Sequence, residues 1–385
     1  MKTNISAEGG SASGGKKTLL ITYFFPPAIG GIENYFNSIC SRLDPANIVV
    51  LAENHPEAAE FDGRQKYKVI RTEFFGGKIP PRWTPLKEQI RKIIKSEKIE
   101  QIIFGHFHPL CLLGGKLGLP YFIFGHGTDI TQIGNDIWQV RALKKSYRNP
   151  LCKKFIANSK FIFDELSRLL GDKSKLEIIY PGVDFKALND PAEDFAARKE
   201  VMGLGGNDII LLSMGRVEPE KNFGSVIKLM PEMLLKIPKL KYVIVGGGSD
   251  LQNLKDLAQS EDLKYNVIFT GPVKDDASAK AFYFQLAHIY ITASTKPEGF
   301  GISYLEAAAA KTVIIASEFG GSSEAVKDNE TGLLIDPNKP EEIRDAIYKL
   351  ALNRELWEKM SSSGQVWAKQ FDWGLQMEKI NNLVK

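Results

Sequence analysis

"TLLITYFFPPAIGGIENYF", residues 18 to 36, decides how the rest of the chain is read. An apolar run (18–24) enters a loop holding Pro26, Pro27, Gly30 and Gly31, and a helical pattern starts after it. A buried strand passing into a helix through a glycine turn is the first half of a βαβ unit. The arrangement recurs at "IILLSMGRVEPEKNF" (209–223), so two such units open two halves of the chain. Neither loop carries G-x-G-x-x-G, which argues against a dinucleotide-dependent dehydrogenase.

Working outward, short apolar runs at 18–24, 47–52, 67–71, 101–105, 121–125, 154–158 and 176–180 predict strands in the first half. Runs at 209–215, 241–247, 266–271, 289–294, 312–317 and 331–335 predict strands in the second. Helical patterns lie between them at 85–97, 159–170, 222–236, 275–286 and 302–310. Alternation of this kind predicts an α/β chain with two facing Rossmann-like, doubly wound parallel-sheet domains. The irregular stretch "YPGVDFKALNDPAED" (180–194) marks the join. The expected division is a flexible lead at 1–16, an N-terminal domain at 17–185, and a C-terminal domain at 186–367. Ligands of doubly wound sheets sit beyond the carboxyl ends of the strands, so the loops there are the candidate site.

Composition bounds the class. The 385 residues are 43% hydrophobic and 25% charged, which suits a soluble chain with full cores. No apolar run nears the ~20 residues of a membrane helix. Cys40, Cys111 and Cys152 share no metal-like spacing, so a reducing, cytoplasmic setting is expected. The net charge of +4 is uneven: residues 17–185 carry +7 and residues 186–385 carry −4. No nucleic-acid partner is expected. Basic stretches with tryptophan at 81–98 and 138–154 instead suggest peripheral contact with an anionic membrane, or simply a solvated helix face.

Four loops concentrate polar and glycine residues. Gly30 and Gly31 either make a tight turn or bring backbone N–H groups to an anion at a helix start. Arg216 and Lys221 flank a proline-containing turn, and a fork plus a point charge suits a diphosphate. In "FGHGTDI" (124–130), His126 between glycines could reach a ligand or serve structure alone. His106 and His108 form an H-x-H without a third ligand by spacing, so no metal site is expected. In "KPEGFGISYLEAAAAK" (296–311), Gly299 and Gly301 can present amides at a helix N-terminus, with Glu298 before the turn and Glu306 inside the helix. Capping or a solvated surface is the alternative for either glutamate. There is no D-x-D, Walker loop, H-E-x-x-H or G-x-S-x-G.

Taken in this order, the loops resemble glycosyltransferase family 4, retaining enzymes of the GT-B fold with mannosyltransferase-like members. The resemblance rests on the E-x7-E motif (Glu298, Glu306), G-G-I-E, G-R…E-K and "GGSSEAV" (320–326), and covers the chain from about residue 17. It implies transfer of a hexose from GDP-mannose or a UDP-sugar to a glycan or lipid-linked acceptor, without metal or other cofactor. Gly30 and Gly31 would lie against donor phosphate or sugar, and Arg216 and Lys221 would hold the leaving diphosphate. Glu306 would bind the ribose, while Glu298, Gly299, Phe300 and Gly301 would orient the sugar. Val273 would pass the base, and His126 would stand near the sugar's primary hydroxyl. A C-terminal helix (368–385) would return to the first domain, with Trp367, Phe371 and Trp373 in apolar contact. Lys311 and Val313 stand where the family has glycine and proline, so a left-handed Lys311 would be strained. An epimerase of the same fold, or a non-catalytic nucleotide-sugar binder, remains the alternative.

Overall fold

A computed structural model of the chain describes residues 15–74, 83–273 and 277–385. The lead, Lys274 and Asp275 of the predicted base loop, and Pro81–Arg82 of the basic stretch lie outside the described residues, except for Gly15 and Lys16.

The first seven strands are β1 (Thr18–Thr22), β2 (Ile48–Glu53), β3 (Lys68–Thr72), β4 (Gln101–Phe104), β5 (Tyr121–Gly125), β6 (Cys152–Ala157) and β7 (Leu176–Ile178). They form a parallel sheet in the order β3-β2-β1-β4-β5-β6-β7. A second parallel sheet runs β10-β9-β8-β11-β12-β13. Its strands are β8 (Ile209–Met214), β9 (Leu240–Val245), β10 (Val267–Gly271), β11 (Ile289–Thr292), β12 (Val313–Ser317) and β13 (Gly332–Ile335). Each predicted strand is present, most of them shifted or shortened by one to three residues at an end. In both sheets the strand order reverses beside the first strand of the half, which opens a crevice at the carboxyl ends of β1 and β4 and of β8 and β11.

The apolar runs are continuous because both faces of each sheet are covered. In β1, Leu19 and Ile21 enter one core while Leu20 enters the core on the other face. In β8, Leu211 faces one core, and Ile210 and Leu212 face the other. This is the GT-B arrangement of two Rossmann-like domains.

The chain crosses between domains twice. Val183 N donates to Phe371 O at 2.8 Å, and Trp373 N donates to Val183 O at 3.1 Å, so the outgoing and returning segments pair. The last helix, Trp373–Val384, then packs Trp373, Met377, Ile380 and Val384 into the N-terminal core beside Tyr35 and Phe36. The three aromatics predicted to act together are divided. Trp373 serves the N-terminal core, whereas Trp367 and Phe371 stay with the C-terminal core. Trp367 Nε1 donates there to Ala325 O at 3.1 Å. Trp367 ends up in the other domain because it belongs to the preceding helix, Arg354–Ala368, which closes before the crossing.

Candidate active site

The loops after β8 and β9 are built almost without side chains where they meet. Gly215 and Gly246 have φ of +146° and +147°, and a Cβ on Gly246 would fall 1.8 Å from Gly215 O. This close approach leaves Arg216 exposed at the crevice mouth. Lys221 closes a short 3-10 turn, Pro219–Lys221, which is tied to the loop after β11 by Thr295 N donating to Glu220 O at 2.8 Å. Its ammonium forms an ion pair with Glu298 Oε1. The residues assigned to the diphosphate and to the sugar are therefore in direct contact.

Glu298 is held by its backbone. Gly321 N donates to Glu298 O at 2.8 Å, and Glu298 bridges Gly320 in parallel fashion. Gly301 takes φ +89° at the start of the helix Ile302–Ala309, where a Cβ would strike the Tyr304 ring at 2.3 Å. Phe300 is buried between Tyr180 and Phe371, with ring centroids 5.2 and 5.6 Å away, so its side chain belongs to the domain crossing. Glu306, in the second turn, accepts from Lys280 Nζ at 2.9 Å. Both partners are largely buried, at 15% and 14% exposure. Val273 packs partly against the same domain's core just past β10.

The N-terminal domain meets this loop backbone to backbone. A Cβ on Gly299 would lie 1.9 Å from His126 O, and one on Gly127 would lie 3.4 Å from Gly299 Cα. The His126 carbonyl, not its ring, is thus the atom nearest the E-x7-E turn. The ring is buried among Tyr35, Phe36 and His106, and its Nε2–H donates to Gly105 O at 3.0 Å. Burial holds this imidazole below its ordinary pKa, so it is neutral near pH 7. Asp129 Oδ1 accepts from His126 N and Gly127 N at 3.0 and 2.8 Å, and Asn158 Nδ2 donates to His126 O at 2.7 Å. His106 is buried against Thr22 and is likewise kept neutral by desolvation. Among the described residues no group of three or more His, Cys, Asp or Glu side chains could hold a metal.

Gly30 caps the helix Gly31–Cys40 with extended backbone, and a Cβ there would meet the Glu33 carboxylate at 2.2 Å. The helix start is thus covered by its own glutamate, while Gly31 faces open space. The fold brings Lys221 to Glu298 and His126 to Gly299. Glu306 pairs instead with Lys280, Gly30 lies against Glu33, and Arg216 is exposed. Two residues escaped the sequence reading. Lys280 sits 26 positions before its partner Glu306, with no local pattern to flag it. Glu324 lay inside the quoted "GGSSEAV" yet carried no role, and it proves to bond across to the other domain.

Residues 29–187 match the family model for Glycosyltransferase Family 4, and residues 194–367 match that for Glycosyl transferases group 1. The chain belongs to glycosyltransferase family 4. An uncharacterized glycosyltransferase of Methanocaldococcus jannaschii is 31% identical over 95% of this glycosyltransferase and 97% of its own length. A GDP-mannose-dependent alpha-(1-6)-phosphatidylinositol monomannoside mannosyltransferase of Mycobacterium tuberculosis is 27% identical, over 96% and 98%. Among solved structures, Anabaena HepE in complex with UDP superposes with a TM-score of 0.82 at 18% identity, covering 95% of this chain and 99% of that one. A glycosyltransferase from Rickettsia africae gives 0.80 at 21%, covering 96% and 98%. These two likenesses concern the fold.

Proposed function

We propose that this glycosyltransferase moves mannose from GDP-mannose to a glycan or lipid-linked acceptor, with retention at the anomeric carbon and without a metal. The observation that carries the reading is the E-x7-E loop itself. Glu298 and Glu306 each face a lysine, and the turn between them touches the His126–Gly127 corner of the opposite domain. A nucleotide sugar fits this layout with ribose hydroxyls on Glu306 and the diphosphate near Arg216 and Lys221. The sugar then lies under Gly299, Phe300 and Gly301, with the base toward Val273 and the Gly30–Gly31 turn closing from above. The GDP-mannose preference is supported by the relatives' names and stands ahead of UDP-sugars on that ground.

In the transfer step the acceptor oxygen bonds to the anomeric carbon as the carbon–oxygen bond to the diphosphate breaks. Positive charge from Arg216 and Lys221 stabilises the leaving diphosphate, and a phosphate oxygen takes the acceptor proton on the same face. Glu298, already engaged by Lys221, orients the sugar and does not attack it. The His126 carbonyl is an acceptor for a sugar hydroxyl.

The acceptor side is proposed to face a membrane through the helix Ile137–Arg148. Ile137 and Trp138 are 67% and 76% exposed at its start, with Arg141, Lys145 and Arg148 exposed along it. Apolar anchors beside cations suit anionic lipid at the cytoplasmic face. Among the described residues no helix is long and apolar enough to cross a membrane. Flotation with anionic vesicles should be salt-sensitive and weaker in Trp138→Ala; absence of salt-sensitive flotation removes the membrane part alone.

The main test is a thermal-shift panel of GDP, UDP and their sugars, followed by transfer assays with and without acceptor. Ligand at 100 times its Kd stabilises by about 2.7 kcal/mol. GDP-mannose should give the largest shift, and Lys221→Ala should chiefly slow turnover. Isomerised donor in the absence of acceptor would favour the epimerase, and unchanged turnover in Lys221→Ala would sink the assignment.

A further inference from the structure

We propose that Glu324 is a positioning residue that clasps the two domains in the register transfer requires, by capping a helix of the N-terminal domain from the donor-binding domain. The inference rests on the glycosyltransfer reading for its kinetic consequence, and on geometry alone for the clasp.

The helix Lys160–Leu170 begins with free backbone donors, as every helix does. The side chain of its own cap, Ser159, accepts from Ile162 N alone, at 3.1 Å, and the first turn contains no acidic residue. The missing charge comes from the other domain. Glu324 Oε2 accepts from Lys160 N at 2.6 Å, and Oε1 accepts from Phe161 N at 2.7 Å. Tyr180 in the crossing segment adds its hydroxyl to Oε2 at 3.1 Å. Burial first, and then the neighbouring Glu324 charge, push the Tyr180 pKa up to about 12, so it stays a donor. A carboxylate at a helix N-terminus is favoured by the helix dipole, and charge-assisted bonds to two successive amides fix direction as well as distance.

What makes this more than a surface contact is that both ends of the clasp lead into the site. On one side, Glu324 lies three residues after Gly321, whose amide binds Glu298 O at 2.8 Å and whose Cβ would sit 2.3 Å from Gly299 O. On the other side, the capped helix follows Asn158, whose side chain binds His126 O at 2.7 Å. His126 O in turn lies against Gly299. The path from Gly299 through Gly321, Glu324, Lys160, Asn158 and His126 returns to Gly299. Releasing Glu324 removes the charged link in that circuit and lets the His126–Gly127 corner move off the sugar site, while the donor loop stays intact.

The test uses the full chain with Glu324→Ala, Glu324→Gln and Tyr180→Phe. Calorimetry with GDP and UDP reads donor binding, steady-state assays read kcat and KM, and small-angle scattering reads the radius of gyration. In Glu324→Ala, nucleotide affinity should stay within about threefold, kcat should fall at least tenfold, and the ligand-free radius should increase. Glu324→Gln, which keeps one acceptor, should recover part of kcat. Tyr180→Phe, the milder variant should Glu324→Ala misfold, should lower kcat a few-fold with affinity intact. Wild-type kcat and radius in Glu324→Ala would overturn the clasp, as would loss of nucleotide affinity in step with kcat. If the wild type transfers no sugar from any donor, the functional reading fails instead, and the scattering result still decides the clasp.

Discussion

Removing Glu306 alone and removing it together with Lys280 should differ sharply in stability and agree in donor binding. The two groups meet at 2.9 Å with only 14–15% of each side chain exposed. Lys280 also lies in the first turn of the helix Ala277–Leu286, where the helix dipole disfavours a cation. In Glu306→Leu the largely buried carboxylate facing that ammonium is gone, and breaking such a pair from one side costs up to about 3 kcal/mol. For a domain of this size that is a fall in Tm of up to about 12 °C. In the double variant Lys280→Met/Glu306→Leu both charges are replaced by apolar groups, which is commonly neutral or stabilising, so Tm should return to within about 3 °C of wild type. Differential scanning fluorimetry with and without GDP reads both effects. The nucleotide-induced shift should be lost in both variants, because neither has an acceptor for the ribose hydroxyls. A double variant as unstable as the single would refute the burial argument. A full nucleotide shift in the double variant would refute the role of Glu306.

Two further outcomes follow from the backbone and the histidines. Lys311 follows the helix Ile302–Ala309 with φ +67° and is exposed, so Lys311→Gly should raise stability by about 1 kcal/mol, seen as a higher urea midpoint at unchanged slope; no rise would refute the strain. His106, His108, His126 and His288 all have pKa values lowered below 6.5, chiefly by burial. The unfolded chain therefore binds more protons than the native one once pH drops below about 6.5, and stability falls there by up to about 1.4 kcal/mol per pH unit per histidine. Thermal midpoints that stay flat from pH 7.5 to 5.5 would contradict this.

Much of the architecture was legible because both sheets are buried on two faces, which forces strands such as Ile209–Met214 to be apolar throughout. The E-x7-E turn was legible for a related reason. Its glycines and second glutamate occupy consecutive turns of one segment, and Gly301 does adopt the left-handed backbone that a glycine there permits. The left-handed Lys311 was expected only through the family resemblance, which places a glycine there, and it does take φ +67°.

What escaped depends on contacts between segments far apart in the chain. Nothing near Lys280 distinguishes it from a solvated lysine until the Ile302–Ala309 helix packs beside it. Nothing near Glu324 suggests that the two amides it caps lie more than 160 residues earlier. The sequence leaves His126 open between reaching a ligand and serving structure, and only packing shows its ring enclosed by Tyr35 and Phe36 with its carbonyl against Gly299. Local periodicity and glycine placement thus determined two parallel-sheet domains with polar loops at their strand ends. The order of strands was settled by pairing within each sheet, and the meeting of those loops across the cleft and the division of Trp367 from Trp373 by the packing of the two domains. Side-chain partners come from burial and long-range closure, and residue spacing along the chain does not encode them.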